Sequence, residues 1–348
     1  MIADHFDQER VDSCPLVLYD ETCLVLSVCL FIQRVDAMDV LAGVMKTVRL
    51  AGTVFCRAEV EAPWSVHTRG LPTGIFHAIV KGGAHLILEA DGTRYALEQG
   101  DVVFLPFGDP HVMCDSPSTD PVPITELVET EPGQTVGSLK IEGWGEATSI
   151  ICGSFTFERS EVHPLLSNLP PVIVVRKGEK NLASWLASTL ELMSHELEQG
   201  GPGAEIVLTR LADVILVYAL RKHIDSLPHG DGGWLGALRD PQLSKALGHI
   251  HHEPDERWTA GNLATKVGMS RSAFFSKFTE IVGEPPGQYL TRWRMHLATQ
   301  ALKKESVSLA EVAYQVGYNS ESSFSKAFKR IVGRSPSIYR KAILQQVA

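Results

Sequence analysis

Between residues 52 and 160 apolar and polar side chains alternate with a period of two, as in strands whose successive side chains face opposite sides. Val102-Val103-Phe104-Leu105 and Ser149-Ile150-Ile151-Cys152 are short apolar runs bounded by Gly, Pro and Asp, and Gly82-Gly83, Asp91-Gly92 and Gly133 mark turns. Many short strands at this spacing predict a sandwich or barrel. The period then changes. Leu182, Trp185, Leu186, Leu190, Met193 and Leu197 recur at helical spacing. After Gly200-Gly201-Pro202-Gly203, so do Ile206, Leu211, Val214, Ile215, Tyr218 and Leu220. This predicts two antiparallel helices with a wide apolar stripe. His229-Gly230-Asp231-Gly232-Gly233 reads as a linker, and Asp240-Pro241 as the cap and first residue of a further helix.

The last hundred residues contain one pattern twice. Leu263-Ala264-x-x-Val267-Gly268-Met269-Ser270 returns as Val312-Ala313-x-x-Val316-Gly317-Tyr318-Asn319, offset by 49. Phe274, Phe278, Ile281-Val282-Gly283, Pro286 and Tyr289 return as Phe324, Phe328, Ile331-Val332-Gly333, Pro336 and Tyr339, offset by 50, so one extra residue sits in the second turn. Each copy has the grammar of a helix-turn-helix. The small Ala lets two helices cross closely, Gly supplies a left-handed backbone at the turn, and Phe fills the angle between them. Ser270 and Asn319 are expected to cap the second helices, and Ser308-x-x-Glu311 is a capping box.

Residues 240–340 resemble the DNA-binding domain of AraC/XylS transcription regulators. In the first copy the likeness lies in Trp258-Thr259, Leu263-Ala264, Gly268-Met269-Ser270-Arg271-Ser272, Phe278, Gly283, Pro286, Tyr289-Leu290, Arg292, Arg294, Leu297-Ala298 and Leu302. In the second it lies in Val312-Ala313, Val316-Gly317-Tyr318, Ser320 to Ser325, Phe328-Lys329, Gly333, Ser335-Pro336 and Tyr339-Arg340. The resemblance implies two subdomains joined by a long helix at about Tyr289–Lys303, with both recognition helices entering successive major-groove segments on one DNA face. Charge agrees independently. From residue 241 onward there are fifteen Lys and Arg against eight Asp and Glu, a balance of +7 in a chain of net −9, which leaves −16 for residues 1–240. Screening makes the field local, over ~10 Å, so a basic module on an acidic body still meets phosphate.

The 348 residues are enough for two or three domains, and no apolar run reaches the ~18 residues that span a bilayer. Residues 1–37 follow neither pattern; they are expected to be a leader, with Met38 as an alternative start. The six cysteines (14, 23, 29, 56, 114 and 152) form no CxxC pair or zinc-finger spacing, and the chain reads as cytoplasmic. The expected fold class is α+β. Its parts are a cupin-like β-barrel at 38–160, a helical hairpin at 161–228 that dimerises or packs on the barrel, a linker at 229–239, and an all-α domain with two helix-turn-helix subdomains at 240–348.

The barrel reading comes from Gly100-x5-Pro106-x-Gly108-x2-His111, which matches the second cupin motif except that Asp115 stands where its terminal Asn would. Residues 38–160 thus resemble the cupin-type sensor domains fused to AraC-type regulators. The first motif is degraded. Only His67 and His77 precede the turn, without the His-x-His pair and Glu. His67, His77 and His111 are therefore candidates for an effector pocket or for a divalent-metal site, with a metal-free pocket favoured. Cys56 and Cys152 lie in strand-like stretches and are candidates for a redox pair facing each other across the barrel.

On the recognition helices Phe274, Phe278, Phe324 and Phe328 are expected inward. That leaves Ser272, Phe275 and Ser276 outward in the first copy, and Glu321, Ser322, Ser325 and Lys326 in the second. Arg271, Lys277, Lys329 and Arg340 suit phosphate contacts. The leading reading is a homodimeric, sequence-specific regulator, an activator working with RNA polymerase on double-stranded promoter DNA. It would answer a small-molecule or redox signal and have no membrane partner. The alternatives are a cupin-type metal enzyme tethered to a DNA module and a nucleoid-type binder without a sensor.

Overall fold

The computed structural model describes residues 40–41, 51–127, 137–156, 169–177, 183–228, 233–303 and 307–347. The leader with its alternative start, the turn at Gly133 and residues 229–232 of the predicted linker lie outside the described residues. The rest of that stretch is not a plain linker, since Gly233–Ala237 is helical and buries Trp234 and Leu235 in the core.

Eleven strands among the described residues form two sheets. One holds β11 (Ile173–Val175), β6 (Val102–Leu105), β3 (Gly74–Lys81), β10 (Ala147–Thr156), β1 (Ala51–Glu61) and β9 (Gly137–Ile141), in that order. The other holds β5 (Arg94–Glu98), β4 (Gly83–Leu88), β7 (His111–Cys114), β2 (Ser65–Thr68) and β8 (Val122–Pro123). The front domain is therefore a sandwich of two facing sheets and not one closed barrel. Closure would need hydrogen bonds between the end strands of the two sheets, and the ladders keep them separate.

The larger sheet is covered on both faces, which explains why its strands read as nearly unbroken apolar runs. On β3, Ile75 and Ile79 face the second sheet, together with Val103, Leu105 and Ile150. Phe76 and Ala78 face the other way, with Val102, Phe104, Ile151 and Phe155. Phe76, Phe104 and Phe155 form an aromatic patch with ring centroids 5.3–6.1 Å apart. Gly153 makes room for it, since a Cβ there would lie 2.0 Å from the Phe76 ring.

On this patch sits the helical hairpin, α1 (Ala183–Gln199) and α2 (Ala204–Ser226). Leu186, Leu190 and Met193 of α1 and Leu208, Ala212, Ile215, Leu216 and Ala219 of α2 join the same core. Of the two expected uses of the hairpin, packing on the sheet is the one realised within the chain. Leu192, Ile206, Val207 and Val214 stay exposed on the hairpin.

The C-terminal part is helical: α3 (Gly233–Ala237), α4 (Pro241–His252), α5 (Ala260–Lys266), α6 (Arg271–Val282), α7 (Pro286–Ala301), α8 (Leu309–Gln315), α9 (Glu321–Val332) and α10 (Pro336–Val347). Asp240 caps α4, accepting from the amides of Gln242 and Leu243 at 3.0 Å. Ser308 and Glu311 close the predicted capping box at 2.7 and 3.1 Å, and Ser270 caps α6. The cap of α9 is Ser320, not Asn319. The extra residue of the second copy falls before the cap, so Ser320 is the partner of Ser270 at offset 50. The joining helix is Pro286–Ala301, starting earlier than Tyr289 because Pro at the first turn costs no hydrogen bond.

The two helix-turn-helix units have separate cores. Leu263, Ala264, Phe274, Phe278, Tyr289 and Trp293 belong to the cluster that runs back through the hairpin to the sheet. Met295, Ala298, Leu302, Val312, Ala313, Phe324 and Phe328 form a cluster of their own. Helix α7 contributes to both.

Candidate functional site

Between the two sheets lies a cavity of about 130 Å³, walled mostly by apolar side chains such as Val60, Trp64, Val66, Ile75, Met113 and Leu139. Its polar wall groups are Thr68, His77, Cys56 and Cys152. The sheet register assembles them. Cys56 of β1 pairs directly with Cys152 of β10, and Cys152 pairs with His77 of β3, so three inward side chains form one row across three strands. The cysteines are therefore neighbours in one sheet and do not face each other across the domain as expected.

Behind His77 stands His111 of the opposite sheet, their Nε2 atoms 2.9 Å apart. The hydrogen bonds fix the tautomers. His111 Nδ1 donates to the Asp109 carbonyl at 2.8 Å, which leaves its Nε2 as acceptor. His77 must then donate from Nε2, and its bare Nδ1 faces Cys152 Sγ at 3.1 Å. Burial, then the nearby His111, keeps the His77 imidazole neutral, its pKa well below the ordinary histidine value; burial does the same for His111.

His67 does not join them. It sits on β2 between the cavity-facing Val66 and Thr68, so strand alternation turns it away, and it pairs with Glu89 at 3.3 Å. Two histidines remain where three were expected. Among the described residues no group of three or more His, Cys, Asp or Glu is arranged to hold a metal ion. Asp115, at the place of the motif's Asn, is structural, accepting from the Trp64 amide at 3.0 Å and the Thr119 hydroxyl at 2.9 Å.

At the other end of the chain the recognition helices are α6 and α9. Their four Phe side chains are fully buried, as the spacing demands. Arg271, Ser272, Phe275 and Ser276 are exposed on α6, and Glu321, Ser322, Lys326 and Lys329 on α9, while Ser325 is half-buried. Two expected phosphate ligands are otherwise placed. Lys277 Nζ lies 2.5 Å from Asp240 Oδ2 and 3.3 Å from Gln242 Oε1, so it ties α6 to the cap of α4. Arg340 is half-buried, with Nε and Nη2 enclosed. Arg294 is one of the residues that carry the likeness to the family. In the fold it joins the two units, and nothing in its local sequence announces that.

The comparisons with known proteins follow the same division. Residues 39–225 match a cupin family and residues 263–342 a helix-turn-helix domain family. An AraC-like transcription regulator of Streptomyces antibioticus is 32% identical over 87% of this chain and 99% of its own length. The chain belongs to the AraC-like transcription regulators. The regulator AlkR of Acinetobacter baylyi is 31% identical over 87% of this chain and 99% of its own. Among solved structures, the DNA-binding domain of AdpA in complex with a target DNA is 30% identical, covering 31% of this chain and 96% of that one, with a TM-score of 0.29. This AraC-like chain is thus a transcription regulator. A ligand-sensing cupin domain precedes a DNA-binding helix-turn-helix domain. No described helix is long and apolar enough to cross a membrane.

Proposed function

We propose that the regulator binds promoter DNA through α6 and α9 and that the cavity between the cupin sheets receives its signal. The observation that carries this is the continuous core from Phe76 and Phe104 through Leu190 and Leu216 to Trp234, Phe274 and Phe278. A molecule that changes the packing of the larger sheet has a direct mechanical route to the first recognition helix. It shifts the equilibrium only by the difference in its affinity for the two states. In this reading Ser272, Phe275, Ser276, Glu321, Ser322, Ser325 and Lys326 meet base edges, and Arg271 and Lys329 meet phosphates. Lys277 and Arg340 serve the scaffold first.

The reading extends to a homodimer formed through Ile206, Val207 and Val214 of α2 and Leu192 of α1. Ile206 is 67% exposed, and a second copy would cover these side chains. We place the regulator in the cytoplasm as an activator that works with RNA polymerase. No cofactor is needed in this account; His77 and His111 line or back the cavity as neutral polar groups. The test is transcription from the chain's own target promoter with purified polymerase, with and without the protein. A rise supports activation, and a fall makes the protein a repressor. Sedimentation of Ile206→Glu and Val214→Glu tests the dimer; unchanged mass would remove this face from it.

A further inference from the structure

We infer that Cys56 and Cys152 form a dithiol that a small organic hydroperoxide, seated in the apolar cavity, oxidises to a disulfide. This deepens the sensor reading above and rests on it for its effect on DNA. The two residues are directly opposed on antiparallel β1 and β10, and both side chains line the cavity. Opposed antiparallel residues have Cα atoms about 4.5–5.5 Å apart, which falls within the range that a disulfide bridges. The pairing shifts register between Val54 and Cys56, and such an irregularity gives β1 local room to adjust.

The two sulfurs differ. A hydrogen bond from Cys152 lowers the Cys56 thiol below its ordinary pKa, against the burial that raises it, and the Leu139 backbone helps. The same contact, with burial, pushes Cys152 up. Cys56 is thus the nucleophile and Cys152 the resolving thiol. His77 Nδ1, unprotonated and 3.1 Å from Cys152 Sγ, is placed to take the Cys152 proton. Cys114 provides an internal contrast. It is buried on β7 without a thiol neighbour among the described residues, its pKa raised to about 11 by burial and by Asp115.

The steps balance. The Cys56 thiolate attacks the outer peroxide oxygen and the O–O bond breaks. The alkoxide leaves as alcohol with the proton Cys56 gave up, and Cys56 becomes a sulfenic acid. Cys152 then attacks the Cys56 sulfur. Its proton passes by way of His77 to the departing hydroxide, which leaves as water. Two thiols and one hydroperoxide give one disulfide, one alcohol and one water. The apolar walls select an alkyl group on the peroxide. Engineered cavities of ~150 Å³ hold benzene, with six heavy atoms, and tert-butyl hydroperoxide has the same number.

The experiment treats the full chain with tert-butyl hydroperoxide and maps its peptides without reduction. The expected result is a Cys56–Cys152 link with one tert-butanol released per link, while Cys114 stays reduced. Hydrogen peroxide should be at least tenfold slower. Cys152→Ser should stop at a Cys56 sulfenic acid that dimedone traps. His77→Gln should slow closure of the disulfide more than it slows sulfenic acid formation. Free thiols at both positions, oxidation of Cys114 at a similar rate, or equal rates with the two peroxides would overturn the proposal. If a variant folds poorly, the peptide map of the unmodified protein decides alone. DNA affinity of the same oxidised sample separates the two layers. A disulfide that leaves affinity unchanged supports the chemistry and contradicts the sensor reading, whereas the absence of a disulfide overturns the chemistry whatever the DNA does.

Discussion

Arg294 Nε donates to the carbonyl of Pro254 at 2.7 Å, binding the helix that joins the two DNA-binding units to the loop between the first two helices of one of them. Its Nη2 reaches the Glu256 carbonyl at 2.8 Å, and its guanidinium lies 5.7 Å from the ring centre of Tyr318 in the turn of the second unit. One side chain therefore touches both units, whose cores are otherwise separate. Gly317 is part of the arrangement. It has φ +81°, and a Cβ there would lie 2.6 Å from Arg294 Nη2. We predict that Arg294→Ala and Gly317→Ala each lower affinity for a full operator by about tenfold, or ~1.4 kcal/mol. Protection should be lost over one of the two half-boxes in a footprint. Uniform weakening across the whole footprint would show that the residues only stabilise the domain.

The exposed ends of α9 make different predictions. Lys329→Ala should weaken binding to specific and random DNA alike and reduce the salt slope by about 1. Glu321→Ala should relax preference at one base pair, by roughly 1–3 kcal/mol, because a carboxylate accepts from a cytosine amino group. Affinities over a set of single-base operator variants at two salt concentrations check both. A change of preference from Lys329→Ala would mean that α9 is docked differently.

Much of this was legible in the sequence because helix grammar is local. The Phe274/Phe278 and Phe324/Phe328 pairs, the Asp240 cap and the Ser308–Glu311 box depend on residues a few positions apart, and all are in place. What escaped was non-local. Cys56 and Cys152 become neighbours because β10 inserts between β3 and β1, and no spacing in the chain encodes that order. Lys277 meets Asp240 through the packing of α6 on α4. His67 stays outside the cavity for a local reason: Val66 and Thr68 line the cavity, so the residue between them faces away.

A third prediction concerns the tight fit of helix and sheet. Gly153→Ala forces a methyl group into the Phe76 ring, and overpacking of this kind costs about 1–3 kcal/mol. Thermal unfolding should register the loss. Gly153→Ala combined with Phe76→Leu should recover part of it, since the ring is what the methyl group meets. No recovery would place the strain elsewhere.

Stability should also fall in mild acid. His251 is buried, stacks 4.0 Å from Trp293 and bonds Tyr289 Oη through Nε2 at 2.7 Å. Burial, then His252 and His296, lowers its pKa to about 3. The unfolded chain therefore binds a proton near pH 6.5 that the folded chain refuses, and stability declines as pH drops from 6.5 towards 3. At pH 5 the loss from this residue is about 2 kcal/mol, and His77 and His111 act in the same direction. Denaturant unfolding at pH 7.5 and pH 5 measures it. An unchanged midpoint, or a His251 ring that titrates near 6.5 by NMR, would contradict the burial argument.

The most direct test of the whole account is binding of the purified full chain to DNA upstream of its own and neighbouring genes, titrated with salt and compared with random DNA. The account predicts site-selective binding at least a thousandfold above random, steeply weakened by salt, with two protected segments one helical turn apart on one face. Binding equal to random DNA at every salt concentration would contradict it.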